Sequence, residues 1–411
     1  FPGVSLGYVI SQENFWKSNL AFVDYFKIRA SWGQTGNDLI APYQYLTVFK
    51  SPTFLNSPTG SQLAFNDGEK LNLALIEDVL ANQNTSWEVA TQRNIGFDAD
   101  LLDSKLSITA DYFSNLRDDI LWQRNASVPS SAGVTLPREN IGKTENKGFD
   151  FSINYRNTAG KFSFQVGLNG GYAKNKIVFW DEAPGDPDYK RSTGKPIGAN
   201  SYYQAIGIFQ TADEVNNYPH FNGARPGDII FADVNGDLVI DANDQVRSNK
   251  TNIPKWTGGL TLGLKYGGFD LSVLVYGASG AETYVLTESG TIGNYLKSFV
   301  DSHWSTENPS TTNPRAFERQ NQYWASQQNT HWLRSTDYIR LKNIELGYAI
   351  PANIIGKVKM QNARIYVNAF NFLTYSPDMK DFDPEMTQNP GSAGNTYPIQ
   401  KIINMGVSLT F

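Results

Sequence analysis

The sequence contains no cysteine, and this absence removes three kinds of chemistry at once. A chain of 411 residues without Cys has no disulfide framework, no thiol nucleophile and no Cys-ligated zinc site. Histidine is also scarce, since His220, His303 and His331 are the only three and stand at no metal-ligand spacing. Catalysis by histidine and a His-rich metal centre are therefore both disfavoured.

Two further absences concern nucleic acids and membranes. The chain has 35 Lys and Arg against 40 Asp and Glu, a net charge of −5, which excludes a protein held to nucleic acid by a strongly basic surface. It has no run of about 18 apolar residues, which excludes a transmembrane helix. A membrane-spanning β-barrel is still allowed, because its signal is the alternation of apolar and polar residues.

Alternation with a period of two residues is what the sequence has in abundance. In the last segment, Ile403, Met405, Val407, Leu409 and Phe411 fall on one face, with polar or small residues between them. The same pattern predicts strands near residues 4–10, 25–32, 91–101, 105–116, 148–156, 161–173, 258–266, 269–277, 337–349, 364–373 and 403–411. Between Leu341 and Ile344 the alternation slips by one residue, which predicts a β-bulge.

The connections between these strands alternate between short and long. Gly267-Gly268 predicts a two-residue hairpin, and short turns are also expected at Asp103-Ser104 and at residues 157–160. The long connections run through residues 117–147, 174–257, 278–336 and 374–402. A soluble β-sandwich usually has modest connections at both ends. Short periplasmic turns and long extracellular loops are typical of an all-β, antiparallel transmembrane barrel.

The physics of the membrane accounts for the rest of the composition. In lipid every backbone polar group must pair within the protein, so a spanning sheet closes into a barrel. One row of side chains then faces membrane lipid and the other a wet lumen, which explains a mean hydropathy of −0.40. Single-chain bacterial barrels have even strand numbers, so eleven strands beginning at Phe1 predict a truncated barrel. The alternative is a secreted all-β protein whose sheet edges are protected in another way.

Several sequence blocks resemble one family of barrels. They are Phe1–Phe15, Ile28–Asn37, Trp87–Phe97, Ile141–Asp150, Gly227–Asp237, Tyr338–Tyr348 and the terminal strand that ends at Phe411. In this order along nearly the whole chain, they resemble the C-terminal part of SusC/RagA-type TonB-dependent outer-membrane transporters. Each block alone is weak, and their order gives the resemblance its specificity.

The resemblance implies a barrel of about 22 strands with an N-terminal plug, of which residues 1–411 would be roughly the last half. The plug, the TonB box that engages the TonB complex, and the early strands would be absent. It also implies a SusD-like lipoprotein lid, the outer membrane of a Gram-negative type cell, and active uptake of an oligomeric nutrient. Such nutrients are mostly glycans and sometimes peptides, and no bond is broken, so no enzyme is expected. A non-catalytic glycan-binding β-protein at the surface or secreted, and a passive porin, are the alternatives.

One acidic motif has the spacing of a calcium loop. Oxygen-bearing side chains stand at positions 1, 3, 5, 9 and 12, and a backbone carbonyl at position 7; the residues are Asp233, Asn235, Asp237, Asp241, Asp244 and Val239. Leu238 replaces the usual glycine at position 6, and Asp244 is shorter than the usual glutamate. The motif predicts either structural calcium or a turn braced by Asx side chains, and no other cofactor is required.

Aromatic residues in the long connections are the second candidate site. Flat aromatic rings stack on the C–H faces of sugars, which makes these residues candidate ligand contacts: Tyr202, Tyr203, Trp304, Tyr323, Trp324 and Trp332. Trp304 and Trp324 are the first choices. The alternative is that the rings pack the loops on one another or form the outer aromatic girdle. A third segment, Tyr375–Glu385, is acidic enough for glycoside hydrolysis, but its two prolines favour a rigid turn.

Overall fold

The structure is a computed structural model of the chain. It describes residues 1–20, 22–40, 42–50, 62–65, 70–73, 76–124, 136–286, 295–316, 328–355, 360–386 and 399–411.

Strands dominate the described residues. In chain order they are β1 (Gly3–Val9), β2 (Val23–Asn37), β3 (Val48–Lys50), β4 (Gln62–Phe65), β5 (Lys70–Leu73), β6 (Ile76–Val79), β7 (Glu88–Leu101), β8 (Leu106–Gln123), β9 (Arg138–Ala159), β10 (Phe162–Phe179), β11 (Ser201–Tyr203), β12 (Ala205–Ile208), β13 (Ile229–Phe231), β14 (Gln245–Arg247), β15 (Trp256–Tyr266), β16 (Phe269–Ser279), β17 (Glu282–Tyr284), β18 (Leu333–Ser335), β19 (Tyr338–Ala349), β20 (Asn362–Tyr375) and β21 (Ile402–Thr410). The α-helices are short: α1 (Asn14–Asn19), α2 (Ala212–Asn217), α3 (Lys297–Val300) and α4 (Ala352–Ile355).

Eleven strands form one antiparallel sheet in which each strand lies beside the one before it. The order is β1-β2-β7-β8-β9-β10-β15-β16-β19-β20-β21. All eleven predicted strands are therefore confirmed, and so is the all-β class. Within the described residues, β1 and β21 each have a single neighbour, so the sheet is open at both edges and corresponds to part of a barrel.

The sheet has one apolar and one charged face. On the outer face, Leu168 lies opposite Leu260, and both side chains are more than two-fifths exposed. On the inner face, the Arg29 guanidinium bridges two neighbouring strands, with Nη1 2.5 Å from Asp111 Oδ1 and Nε 3.1 Å from Asp98 Oδ2. Because side chains alternate between faces along a strand, one sheet serves two environments.

A second ion-pair cluster lies on the inner face near the other edge. Arg364 of β20 pairs with Asp270 of β16 and lies 2.7 Å from Glu345 of β19. Like the first cluster, it joins strands close to the short turns. The inner face is therefore built for contact with water or with polar protein groups.

The turns and the bulge are as predicted, with one correction. Gly267 and Gly268 both have positive φ, +55° and +99°, as a primed hairpin turn requires. The β16–β19 register skips Lys342, which has no partner between Leu341 and Asn343, and this confirms the bulge. The turn predicted at residues 157–160 is wrong, because β9 continues to Ala159, which pairs with Phe162, and leaves a two-residue turn.

The connections after β10 and β16 fold together on one rim of the sheet. We call residues 181–255 and 280–335, within the described ranges, the loop module. Its strands pair as β11–β14, β12–β13 and β17–β18, and α2 and α3 complete it. We call the rim that carries it the loop side, and the opposite rim the turn side.

No helix among the described residues is long and apolar enough to span a membrane.

Candidate functional site

The loop module has its own hydrophobic core, made largely of aromatic rings. The buried members are Tyr202, Tyr203, Ile229, Phe231, Ile240, Tyr284, Leu286, Phe299 and Trp332. Tyr202 and Tyr284 stack with ring centroids 6.1 Å apart and planes 4° apart. Burial raises the pKa of both tyrosines, since a phenolate would lose its hydration. This core therefore stabilises the loop module as a folded unit at the rim of the sheet.

This core contains three of the aromatic residues predicted to stack on ligand. Trp332 has no exposed surface, and Tyr202 and Tyr203 are 6% and 4% exposed. Their rings lie against other rings of the loop module, which is the packing alternative named for them above. In this arrangement their faces do not reach solvent, so a stacking role for them stays a prediction that the structure leaves without support.

The remaining candidate tryptophans are Trp304 and Trp324. Trp304 is 9% exposed, and its Nε1 donates to Gln210 Oε1 at 3.1 Å. Its ring covers Gly227, where a Cβ would lie 2.4 Å from the ring and where φ is +89°. Only glycine fits there, so Trp304 has a packing role. Trp324 lies outside the described residues, as does Tyr323.

A buried ion pair that the sequence did not indicate lies beside Trp304. The Arg315 Nε donates to Asp228 Oδ1 at 2.8 Å, and Asp228 has no exposed surface. The Asp228 Oδ2 accepts from the Arg225 backbone N–H at 2.9 Å. Burial raises the pKa of Asp228 although Arg315 opposes this, and burial lowers the pKa of Arg315 to about 10. The pair links the two connections that form the loop module.

The acidic motif forms a tight loop in which carboxylates accept from backbone N–H groups. Asp244 is fully buried and accepts from the N–H of Val234 at 2.8 Å and of Asp241 at 2.9 Å. Asp233 accepts from the N–H of Gly236 at 2.8 Å and of Leu238 at 2.9 Å. These bonds brace the loop in the manner of Asx turns.

The remaining motif residues face the tip of the loop. Asp237 accepts from the Val239 N–H at 2.9 Å, and Asp241 caps a short 3₁₀ turn by accepting from the Asn243 N–H at 2.6 Å. Among the described residues, no three His, Asp or Glu side chains are arranged to hold a metal ion. Calcium binding by Asp233, Asn235, Asp237, Val239, Asp241 and Asp244 stays a prediction of their spacing.

The acidic segment after β20 is anchored across the loop side by a buried arginine. Arg340 of β19 has no exposed surface. Its Nη1 lies 2.5 Å from Glu385 Oε2, its Nη2 2.7 Å from Asp383 Oδ2, and its Nε donates to Thr374 Oγ1 at 2.9 Å. The Tyr338 hydroxyl donates to Glu385 at 2.6 Å. The carboxylates thus fix a loop, as the rigid-turn interpretation requires.

A pocket of about 190 Å³ lies between this anchored segment and the loop module. Its charged lining residues are Arg334, Asp378 and Asp381, and α3 contributes Ser298, whose hydroxyl donates to Asp381 at 2.7 Å. Arg334 Nη1 donates to the His331 backbone carbonyl at 2.6 Å. Burial lowers the pKa of Arg334, and Asp378 opposes this. The pocket offers one cation and two carboxylates to a small polar group.

Comparison with known proteins identifies the family to which this sheet and its loops belong. The family described as TonB dependent receptor-like, beta-barrel, matches residues 1–372. The chain belongs to this family. A TonB-dependent receptor P3 of Formosa agariphila is 30% identical over the whole chain, which covers 42% of that receptor. The TonB-dependent receptor SusC of Bacteroides thetaiotaomicron is 26% identical over the whole chain, which covers 40% of it.

A solved structure of the RagAB peptide transporter has the same fold as this chain. The TM-score is 0.69 at 21% identity, and the match covers all of this chain and 43% of the other. The chain thus spans less than half the length of the relatives it matches. The expected SusC/RagA-type resemblance is confirmed.

Membership of this TonB-dependent receptor family fixes the surroundings of the two faces. The chain is part of an outer-membrane β-barrel, so the apolar row meets lipid and the charged row faces the lumen. Long connections of such barrels lie on the extracellular side. The loop module, the acidic motif and the 190 Å³ pocket therefore lie at the outer mouth of the barrel.

Proposed function

We propose that the chain is the C-terminal part of the barrel of a TonB-dependent importer that takes up an oligomeric nutrient across the outer membrane. The observation that carries this proposal is the two-faced sheet. Its outer row is apolar, its inner row holds ion pairs such as Arg29 with Asp98 and Asp111, and one rim carries a folded loop module. A passage for polar cargo needs a wet lumen and a structured mouth.

The proposed partners are a TonB complex and a lipoprotein lid. Receptors of this kind engage a TonB complex through their N-terminal region, and the SusC/RagA resemblance implies a SusD-like lipoprotein that closes the mouth. A plug would fill the lumen and move when cargo binds. Residues 1–411 would supply about half of the wall and would contribute the loop module to its mouth. The protein would couple binding to plug displacement and break no bond.

A glycan is the first candidate for the cargo, on the strength of the resemblance. The 190 Å³ pocket supports a short polar contact, because Arg334, Asp378 and Asp381 can donate to or accept from hydroxyl groups. Trp324, which lies outside the described residues, remains the proposed stacking residue. A peptide is the second candidate, because opposite charges in one pocket also suit charged peptide groups and one related structure is a peptide transporter.

Growth of a deletion strain tests the proposal. The strain lacking the full-length gene is grown on single oligosaccharides and on single peptides, and is complemented with the wild type or with a variant lacking the TonB-binding segment. We expect one cargo class to fail in the deletion strain and in the TonB-uncoupled variant. Equal growth of the uncoupled variant and the wild type on every substrate would exclude active uptake.

A paired variant then tests the pocket. Asp378→Asn with Asp381→Asn should slow uptake several-fold by changing the charge of the pocket, while receptor abundance in the outer membrane stays constant. Asp188→Asn with Asp213→Asn is the matched control, because it also removes two carboxylates, both from exposed residues of the loop module that do not line the pocket. Equal uptake by both variants would move the cargo site elsewhere on the mouth.

A further inference from the structure

The outer face of the sheet carries an aromatic belt near the loop side. Register places Tyr112, Phe149, Tyr172 and Trp256 in one row across β8, β9, β10 and β15. The rings of Tyr172 and Trp256 are 4.6 Å apart, and those of Phe149 and Tyr172 are 5.9 Å apart. Aromatic side chains favour the boundary between hydrocarbon and headgroups, so this belt marks the outer leaflet interface.

One step farther toward the loops, the outer face becomes basic. Arg93 lies opposite Ser114, Ser114 opposite Lys147, and Lys147 opposite Lys174. The next step along β10 adds Lys176. Lys147, Lys174 and Lys176 have the same parity as the belt residues of their strands, and Arg93 has the parity of Ile95, which pairs with Tyr112. The four side chains therefore point outward at the level of lipid headgroups. We call Arg93, Lys147, Lys174 and Lys176 the basic row, and all four are exposed.

The basic row is not neutralised by the chain itself. Glu145 is shared by Lys147 at 2.6 Å and Lys176 at 3.3 Å. Neither Arg93 nor Lys174 has an ion-pair partner in the part of the chain that the structure describes. Lys147 and Lys174 also lie directly opposite each other, and like charges in such cross-strand pairs are destabilising. The arrangement is unfavourable alone and becomes favourable when an anion joins it.

An apolar groove begins directly below the belt, in the same part of the wall. Gly170, Gly258 and Gly277 are paired in register across β10, β15 and β16, and without side chains they form a floor. The groove has a volume of about 420 Å³, and Leu168 and Leu260 are among its walls. It lies in the hydrocarbon layer, next to the column that carries Tyr172 and Lys174. Its shape and surface suit an aliphatic chain.

We propose that this wall binds an outer-leaflet lipid with an anionic, phosphorylated headgroup. The basic row holds the phosphate through charge-assisted hydrogen bonds from guanidinium and ammonium groups. An acyl chain of the same lipid lies along the glycine-floored groove. The headgroup supplies the negative charge with which Arg93 and Lys174 can pair. The aromatic belt lies between the headgroup and the acyl chain. This proposal rests on membrane placement and not on transport.

The test uses the full-length receptor in phosphatidylcholine nanodiscs with and without lipid A. Native mass spectrometry measures the lipid A retained by the released protein. A variant with Arg93→Gln, Lys147→Gln and Lys174→Gln should bind lipid A at least about tenfold more weakly, since each basic side chain near an anionic lipid adds attraction. The matched control carries Lys17→Gln, Lys161→Gln and Lys250→Gln, which removes the same charge from exposed sites elsewhere.

A second variant keeps the test informative if the triple variant fails to insert. Lys174→Gln removes the like-charge pair, so we expect a higher unfolding temperature in pure phosphatidylcholine and a smaller gain on adding lipid A. Lys147→Arg with Lys174→Arg should retain lipid A. Equal retention by the triple variant and the wild type, or equal loss in the control, would overturn the proposal. Competition by inorganic phosphate as strong as by lipid A would indicate a free-phosphate site and overturn it too.

Discussion

The loop module and the sheet wall use the same aromatic residues in opposite ways. Trp332 lies wholly inside the loop core, whereas Trp256 of the wall keeps 47% of its surface exposed. In the loop module, water is excluded and rings stabilise the fold by packing on one another. In the wall, rings face lipid and register alone fixes their neighbours. Composition therefore says little about the role of an aromatic residue until its strand context is known.

The largest effect should come from emptying the loop core. Trp332→Ala leaves a cavity where a fully buried ring contacts Phe299 and its neighbours, and we expect a loss of about 3–5 kcal/mol in the stability of the loop module. Hydrogen exchange of residues 201–255 measures it. Trp32→Ala on the lipid face is the control. Equal losses in the two variants would remove the contrast between core and wall.

The Arg340 anchor should come next. Arg340→Met leaves Asp383 and Glu385 without the cation that holds them, at an expected cost of about 3–4 kcal/mol for breaking a buried pair. Residues 376–386 should then become cleavable by protease while the barrel keeps its heat-modifiable gel mobility. Lys342→Met is the control, because its Nζ is 3.7 Å from Glu385 and its side chain is 44% exposed. Protection of the segment in the Arg340 variant would refute the anchor.

Acid should destabilise the loop module before the wall. Burial lowers the pKa of His331 to about 4, below its usual value of about 6.5. The folded state therefore favours neutral His331. Its contribution to the free energy of unfolding of the loop module is fully present above about pH 6.5, and about 2–3 kcal/mol of it is lost as the pH falls toward 4. His331→Gln should flatten this dependence between pH 6.5 and 4, as measured by hydrogen exchange in the module. An unchanged slope would assign the acid sensitivity to other groups.

The wall could be predicted from the sequence and the loop module could not, for a physical reason. Alternation is local, so segments such as Leu260–Tyr266 reveal their two faces without knowledge of their neighbours. The strands of the loop module are too short for a period to appear; β11 has three residues, and its Ser201 pairs with Arg247. The burial of Tyr203 and Trp332 depends on contacts between such distant segments.

The charged sites divide in the same way. The spacing of the acidic motif was visible in the sequence because its carboxylates accept from backbone N–H groups within residues 233–244. The Arg340 anchor was not, since Asp383 and Glu385 are 43 and 45 residues away along the chain. In the sequence, their carboxylates form an acidic segment, and nothing near them indicates Arg340 as the cation with which they pair. A local motif can be read from the sequence, and a long-range ion pair requires the fold.

Substitutions in the acidic motif should have the smallest effect on stability. They also distinguish calcium ligation from a turn braced by Asx side chains. Asp244→Ala leaves the N–H groups of Val234 and Asp241 without their acceptor, and we expect a loss of about 2 kcal/mol in chelator. Asp237→Ala, at the exposed tip, should cost much less in chelator. Calcium ligation predicts that added calcium raises the unfolding temperature of the wild type and of neither variant, because both positions would be ligands. If calcium does not shift the unfolding temperature of the wild type, the hydrogen bonds of Asp244 are enough to explain the stability of the loop. The closed loop module then owes its stability to packing and hydrogen bonds, without a metal ion.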